Sequence, residues 1–244
     1  MFRGLAVVLF MCLHFVKNAA GRKKYRVDDK ELDIETKRIY TGQIYKIMQS
    51  FSRGTIRASG STVTIKGKEN LPTTSGNLYV ANHRGLFDSL VIADTVDDPC
   101  IFIGKNGIKK MPIVRTWFSA IGSIYITRED SRQSLEVIKK GIQTLKDKQS
   151  VVIFPEGTRT KTGELGEFKA GSFKLAFNSN ALIVPIAIKN TELIFEKNNK
   201  RVKPANVYVN VGKPIDVSVL SKEQKKAIPR QVQDYIQELL DELN

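Results

Sequence analysis

Leu78-Tyr79-Val80-Ala81-Asn82-His83-Arg84-Gly85-Leu86-Phe87-Asp88 opens with four residues that are apolar on both faces of a strand and ends inside a helical stretch, residues 86–94. A strand of that kind belongs in a sheet covered on two sides, as parallel sheets are. The pattern repeats along the chain. Short apolar runs at 100–103, 123–127, 150–154, 182–188 and 206–211 read as strands, and 112–121, 131–146 and 171–178 read as helices. In 131–146 the residues Leu135, Ile138, Ile142 and Leu145 share one helical face. Alternation of these two element types predicts an α/β fold, a mainly parallel mixed sheet with helices on both faces.

Upstream of that block the pattern differs. Gly4 to Val16 is an apolar run interrupted only by His14, followed by Lys17, Arg22, Lys23, Lys24 and Arg26. Crossing a bilayer takes roughly 20 helical residues, so the run reads as a helix embedded at a cytoplasmic membrane face, its basic flank among anionic headgroups. Two other readings fit the same run: a cleaved signal peptide ending at Ala19-Ala20, and a buried helix of a soluble protein. A second helix is expected over 30–51, where Tyr40, Ile44, Ile47, Met48 and Phe51 line one face. Together the two predict a membrane-associated helical hairpin, residues 1–53, ahead of a catalytic domain, residues 54–244. Residues 55–58 and 63–66, around Ser59-Gly60-Ser61, resemble a β-hairpin. Near the C-terminus, Ser221 and Gln224 fit a capping box ahead of the apolar stripe from Ile228 to Leu243, in which Pro229 should open or kink the helix.

Thirty-nine Lys and Arg against 25 Asp and Glu give a formal charge of +14, which favours anionic partners such as lipid headgroups, phosphorylated substrates, acidic carrier proteins or nucleic acid. The two cysteines, Cys12 and Cys100, lie in unlike settings and do not form a disulfide framework, and no Cys/His cluster has zinc spacing. Nothing resembles a nucleic-acid-reading motif.

His83 is the only histidine outside the apolar N-terminal run, and Asp88 follows five positions later. On one continuous helix that spacing puts the two on different faces. With His83 ending a strand loop and Asp88 in the first turn of a helix, the carboxylate leans back toward the imidazole and can fix its tautomer for base catalysis. On spacing alone a second reading stands beside this one, a capping aspartate near an incidental histidine. Phe154-Pro155-Glu156-Gly157-Thr158-Arg159 ends the strand at 150–154, where open α/β sheets bind ligands, and Arg159 offers a planar fork to a phosphate. Its bland alternative is a turn with a solvated arginine. Arg128 stands beyond another strand end, after Gly122-Ser123-Ile124-Tyr125-Ile126-Thr127.

Together these segments resemble the glycerolipid acyltransferase family that includes the 1-acylglycerol-3-phosphate acyltransferases. Asn82, His83 and Asp88 are similar to its NHxxxxD motif, Gly122 and Arg128 to its second, and Phe154 to Arg159 with Thr160 to its FPEGTR motif. Val184-Pro185-Ile186 resembles the fourth, and Phe168-Lys169-Ala170-Gly171 the basic stretch before it. The resemblance runs from about Val63 to Pro214; Thr160 stands where serine is commoner and keeps the hydroxyl. It implies acyl transfer from a thioester, acyl-coenzyme A or acyl carrier protein, to the sn-2 hydroxyl of lysophosphatidic acid at a membrane, without a cofactor. It further implies His83 and Asp88 as catalytic residues, and Arg159, Arg128, Glu156, Gly157, Thr158, Lys105 and Asn82 as substrate-binding ones. With no Gly-x-Ser-x-Gly elbow and no histidine motif beside either cysteine, the expected transfer is direct rather than through an acyl-enzyme. The rival expectations are a family member acting on another acceptor, such as a lysophospholipid, glycerol 3-phosphate or an amino-acid lysolipid, and a basic membrane-surface binder without activity.

Overall fold

The computed structural model describes every residue except 1, 29, 128–130, 161–163 and 244. Three helices come first: α1 (Phe2–Lys17), α2 (Ala19–Tyr25) and α3 (Ile34–Ser59). They are followed by β1 (Thr62–Lys66), β2 (Leu78–Ala81), α4 (Asp88–Thr95), β3 (Cys100–Lys105), α5 (Pro112–Ala120), β4 (Ile124–Ile126) and α6 (Ser131–Lys146). Then come β5 (Ser150–Ile153), α7 (Lys174–Ser179), β6 (Ile183–Lys189), β7 (Asn206–Val211) and α8 (Lys222–Asp241).

The described strands form one sheet in the order β1-β7-β6-β2-β5-β3-β4. Every neighbouring pair is parallel except β6 and β7. The expected mainly parallel sheet is therefore present, with one antiparallel junction. Because side chains alternate along a strand, Tyr79 and Ala81 of β2 pack with Tyr45, Phe51, Val91, Ile92 and Trp117 of α3, α4 and α5. Leu78 and Val80 pack instead with Val137, Leu175, Val232 and Ile236 of α6, α7 and α8. The chain leaves β2 toward the first layer and β5 toward the second, so a crevice opens between the carboxyl ends of these adjacent strands.

Two expectations need correction. Residues 55–58 are the last turns of α3 rather than a strand, and β1 pairs in parallel with β7 instead of forming a hairpin. Gly60, left-handed at φ +78°, ends the helix. The expected boundary after residue 53 falls inside α3, whose Ile44, Tyr45 and Phe51 are buried in the main core. Of the two expectations for Pro229, opening the helix does not hold: α8 is capped reciprocally by Ser221 and Gln224 as expected and is the longer helix, with the proline inside it.

α1 runs antiparallel along α3: Arg3 donates to the Ser59 carbonyl, the Phe10 ring sits over Gly54, and His14 Nε2 meets Ser50 Oγ at 3.3 Å. Its other face, Phe2, Leu5, Leu9, Leu13 and Val16, is exposed. No single described helix is long and apolar enough to cross a membrane; α1 and α2 together have the length and composition, bent by 60° at their junction.

At the amino ends of the strands Asp98 gathers the sheet. Its carboxylate accepts from Ser75 Oγ at 2.7 Å, from Tyr79 Oη at 3.1 Å and from Asn77 Nδ2 at 3.3 Å, and from the Ser150 hydroxyl. Ser150 in turn accepts from the N–H groups of Gly76 and Asn77 at 2.9 and 2.8 Å. Asp98→Ala leaves those donors unpaired and should cost on the order of 3 kcal/mol. Urea unfolding measures the loss.

Candidate active site

Asn82, the first residue after β2, is buried, and its amide donates to the Ile188 carbonyl at 2.9 Å while its side-chain oxygen accepts from Ile188 N at 2.7 Å. Those two bonds fasten the end of β2 to β6. Expected among the substrate-binding groups, the Asn82 side chain instead fixes where His83 begins.

The loop then folds back on itself. Asp88, the first residue of α4 and fully buried, directs its carboxylate toward the preceding turn. Asp88 Oδ2 lies 2.7 Å from His83 Nδ1 and accepts from the N–H groups of Arg84 and Gly85 at 2.7 and 2.9 Å, while Oδ1 accepts from the Thr191 hydroxyl. An acceptor-only carboxylate requires the proton on His83 Nδ1, which leaves Nε2 as the acceptor of the ring. The ring remains 21% exposed. Gly85 must be small, because a Cβ there would stand 3.0 Å from Glu196 Oε2 and 3.1 Å from Glu192 N.

The loop after β5 supports the same histidine from the other side of the crevice. Phe154 stacks on the imidazole with ring centres 4.2 Å apart. Glu156 Oε1 accepts from His83 N at 2.6 Å, Glu156 Oε2 accepts from Gly166 N at 3.0 Å, and Thr160 N donates to the His83 carbonyl at 3.0 Å. Gly157 turns the loop at φ +74°, a conformation that side chains disfavour. Burial pushes the Glu156 carboxyl up from its ordinary pKa, and the N–H groups of His83 and Gly166 oppose that rise. Glu156, expected to line the substrate site, is thus a buried strut between two loops.

Arg159 and Thr158 are exposed at this rim, and Arg159 Nη1 donates to Glu196 Oε1 at 2.7 Å. Lys105 ends β3 at the same carboxyl edge and is exposed, with β5 lying between β3 and β2. Arg128 lies outside the described residues. The segment following β6 was not anticipated: Thr191 reaches Asp88, Glu196 reaches Arg159 and the Leu86 N–H, and Glu192 lies 3.4 Å from Arg84 Nη1. The rule that ligands gather at strand carboxyl ends applied to β6 too, where Asn190-Thr191-Glu192 follows an apolar run.

A strand-loop-helix histidine held by a buried aspartate, with an exposed arginine on the loop that bonds to the histidine's backbone, is an arrangement suited to acyl transfer onto a phosphorylated hydroxyl compound. The acyltransferase family model matches residues 62–189. The 1-acyl-sn-glycerol-3-phosphate acyltransferase of Borreliella burgdorferi is 30% identical over 183 residues, covering 75% of this chain and 73% of that one. The chloroplastic 1-acyl-sn-glycerol-3-phosphate acyltransferase of Arabidopsis thaliana is 34% identical over 171 residues, 68% of this chain and 48% of its own length. The Saccharomyces cerevisiae protein of the same name is 28% identical over 188 residues, 75% of this chain and 61% of its own. The crystal structure of the 1-acyl-sn-glycerophosphate acyltransferase PlsC from Thermotoga maritima superposes with a TM-score of 0.72 at 21% identity, covering 98% of both chains, and shares the fold. The chain belongs to the acyltransferase family.

Two substitutions separate the parts of the Asp88 cluster. Asp88→Asn offers N–H donors where acceptors are needed and should lower turnover about 10²–10⁴-fold. Thr191→Val leaves Asp88 Oδ1 without its hydroxyl donor and should cost about 1–3 kcal/mol of stability with a smaller loss of turnover. Steady-state kinetics beside urea unfolding read both.

Proposed function

We propose that the protein transfers a fatty acyl group from an acyl thioester to the sn-2 hydroxyl of 1-acylglycerol 3-phosphate, forming phosphatidic acid. The observation that carries this reading is the 2.7 Å contact between His83 Nδ1 and Asp88, which turns the Nε2 lone pair into a base at the crevice rim. Nε2 takes the acceptor's hydroxyl proton as that oxygen bonds to the thioester carbonyl carbon. The tetrahedral oxyanion collapses, the carbon–sulfur bond breaks, and the departing thiolate takes the proton from His83. Base catalysis of this kind contributes about 10²–10⁴-fold.

The placement of the cysteines supports direct transfer. Cys100 is buried at the amino end of β3, 3.1 Å from Tyr45 Oη, and burial pushes its thiol far above the ordinary range. Cys12 lies midway along α1, exposed, outside the loops that hold His83. Arg159 is the phosphate ligand in this reading, with Lys105 and Thr158 contributing along the same edge; Arg128 is assigned to the phosphate from its motif alone. The donor is acyl-coenzyme A or acyl carrier protein, both anionic and suited to a chain of net charge +14. The exposed apolar face of α1 rests on the cytoplasmic leaflet, from which both lipids enter.

Purified protein given 1-acylglycerol 3-phosphate and each donor type should release phosphatidic acid, and His83→Ala should abolish it. Arg159→Ala should raise the acceptor KM by about tenfold or more while sparing kcat. Turnover that prefers glycerol 3-phosphate or a zwitterionic lysolipid would overturn the acceptor assignment. The membrane part has its own check: Leu9→Glu with Leu13→Glu, both on the exposed face, should weaken sedimentation with vesicles containing phosphatidylglycerol. Unchanged sedimentation would place the attachment elsewhere.

A further inference from the structure

The stretch after β6 carries two glutamates, each set against an arginine from a different loop of the crevice. Glu192 Oε1 is 3.4 Å from Arg84 Nη1 and 3.8 Å from Lys197 Nζ. Glu196 Oε1 takes the Arg159 Nη1 donor at 2.7 Å and the Leu86 N–H at 2.8 Å, and Leu86 lies inside the loop that joins His83 to Asp88. Glu196 Oε2 is buried with no described partner, 3.0 Å from where a Cβ on Gly85 would stand. We propose that Glu196 is a positioning residue for the acceptor: it fixes the Arg159 guanidinium against the histidine loop, with the opposite edge turned to the substrate phosphate. The proposal rests on the assignment of Arg159 as phosphate ligand.

An unrestrained arginine at a crevice rim samples many rotamers, and closing on a ligand sacrifices that freedom; a partner that holds the side chain beforehand reduces the cost. Guanidinium carries five N–H donors in a plane, and Glu196 uses one of them. The edge formed by Nε and Nη2 keeps the paired geometry that a phosphate monoester accepts.

The opposing possibility is that Glu196 competes with the phosphate for the same cation. The second bond of Glu196 decides between them. Its carboxylate is tied to the Leu86 backbone and wedged beside Gly85, so it stays with the loop when Arg159 engages a ligand instead of swinging away as a mobile counter-ion. The Arg159 and Glu196 side chains are 48% and 24% exposed, so their ion pair adds little to folding stability. Glu196→Gln, which keeps an acceptor for Leu86 N, is the variant that separates a role in binding from one in stability.

The test uses full-length protein with 1-acylglycerol 3-phosphate as acceptor and whichever thioester, acyl-coenzyme A or acyl carrier protein, sustains the wild-type rate. Glu196→Ala should raise the acceptor KM about tenfold, leave kcat within about threefold, and leave the donor KM unchanged, with a lowered Tm from the loss of the Leu86 N–H acceptor that Glu196→Gln avoids. Glu196→Gln, which keeps an acceptor for Leu86 N, should give a smaller rise, and Glu196→Asp should recover part of the affinity. With Arg159→Ala already present, Glu196→Ala should add nothing, because there is no guanidinium left to orient. A lower acceptor KM in Glu196→Ala, additive effects in the double variant, or a loss of kcat at constant KM would each overturn the proposal. If Arg159→Ala raises KM and Glu196→Ala does not, positioning fails alone; if Arg159→Ala leaves KM unchanged, the phosphate assignment falls and takes the positioning role with it.

Discussion

The buried carboxylate of Asp88 is the point on which the rest of this structure turns. A charge with no exposure to water is tolerated only when donors surround it, and here four converge from two stretches of chain: the His83 ring with the N–H groups of Arg84 and Gly85, and the Thr191 hydroxyl. Satisfying Asp88 therefore selects the conformation of the loop that precedes it. It also requires β6 to stand beside β2, since Thr191 arrives only at the end of β6, and the Asn82 clamp on Ile188 enforces that neighbourhood. The tautomer of His83 follows from the same requirement, so local folding and proton chemistry have one cause.

The two edges of the sheet divide the work. At the amino edge, Ser75, Asn77, Tyr79 and Ser150 all bond to the single carboxylate of Asp98, and that network closes on itself. At the carboxyl edge the polar groups are instead spread over three loops that meet at a crevice, with His83 between Phe154 and Asp88 and Arg159 at the rim. The division follows from topology. Parallel strands β2 and β5 send their following segments to opposite layers, so their carboxyl ends cannot be covered by either one.

What was legible in the sequence was what is local. Period-two and period-3.6 apolar patterns gave the layered sheet, and the Ser221–Gln224 box marked the start of α8, because each signal is complete within a few residues. Residues 55–58 misled for an instructive reason: Thr55 and Ile56 favour strands, yet both lie on the buried face of α3, where the Thr55 hydroxyl donates to the Phe51 carbonyl and burial outweighs propensity. His83, Asp88 and the loop from Phe154 to Arg159 stood out through their resemblance to the family's motifs, since spacing alone left a capping aspartate near an incidental histidine open; the 2.7 Å contact between His83 Nδ1 and Asp88 is a matter of the loop's fold. Thr191 and Glu196 were missed because their partners, Asp88 and Arg159, lie 103 and 37 positions away, and no pattern within the segment announces them. For Asn82 and Glu156, only coordinates reveal that their side chains bond to backbone groups.

The continuity of α3 bears on how a lipid reaches this site. Tyr45 bonds to the Val96 carbonyl at 3.1 Å, Gln49 reaches the same carbonyl at 3.1 Å, and Arg53 pairs with Asp94 at 2.8 Å, so three successive turns of α3 grip the far end of α4. α4 begins at Asp88. The helix that carries α1 on its outer side is thereby fastened to the helix that holds the histidine's partner, with no linker between them. If the exposed face of α1 lies on a bilayer as proposed, rigid packing sets the depth and tilt of the crevice. An enzyme tethered through a flexible segment would have to find its lipid acceptor anew at each encounter; one built on a continuous helix presents the imidazole to the interface at a fixed height, and proximity that would otherwise cost orientational entropy is supplied by the fold.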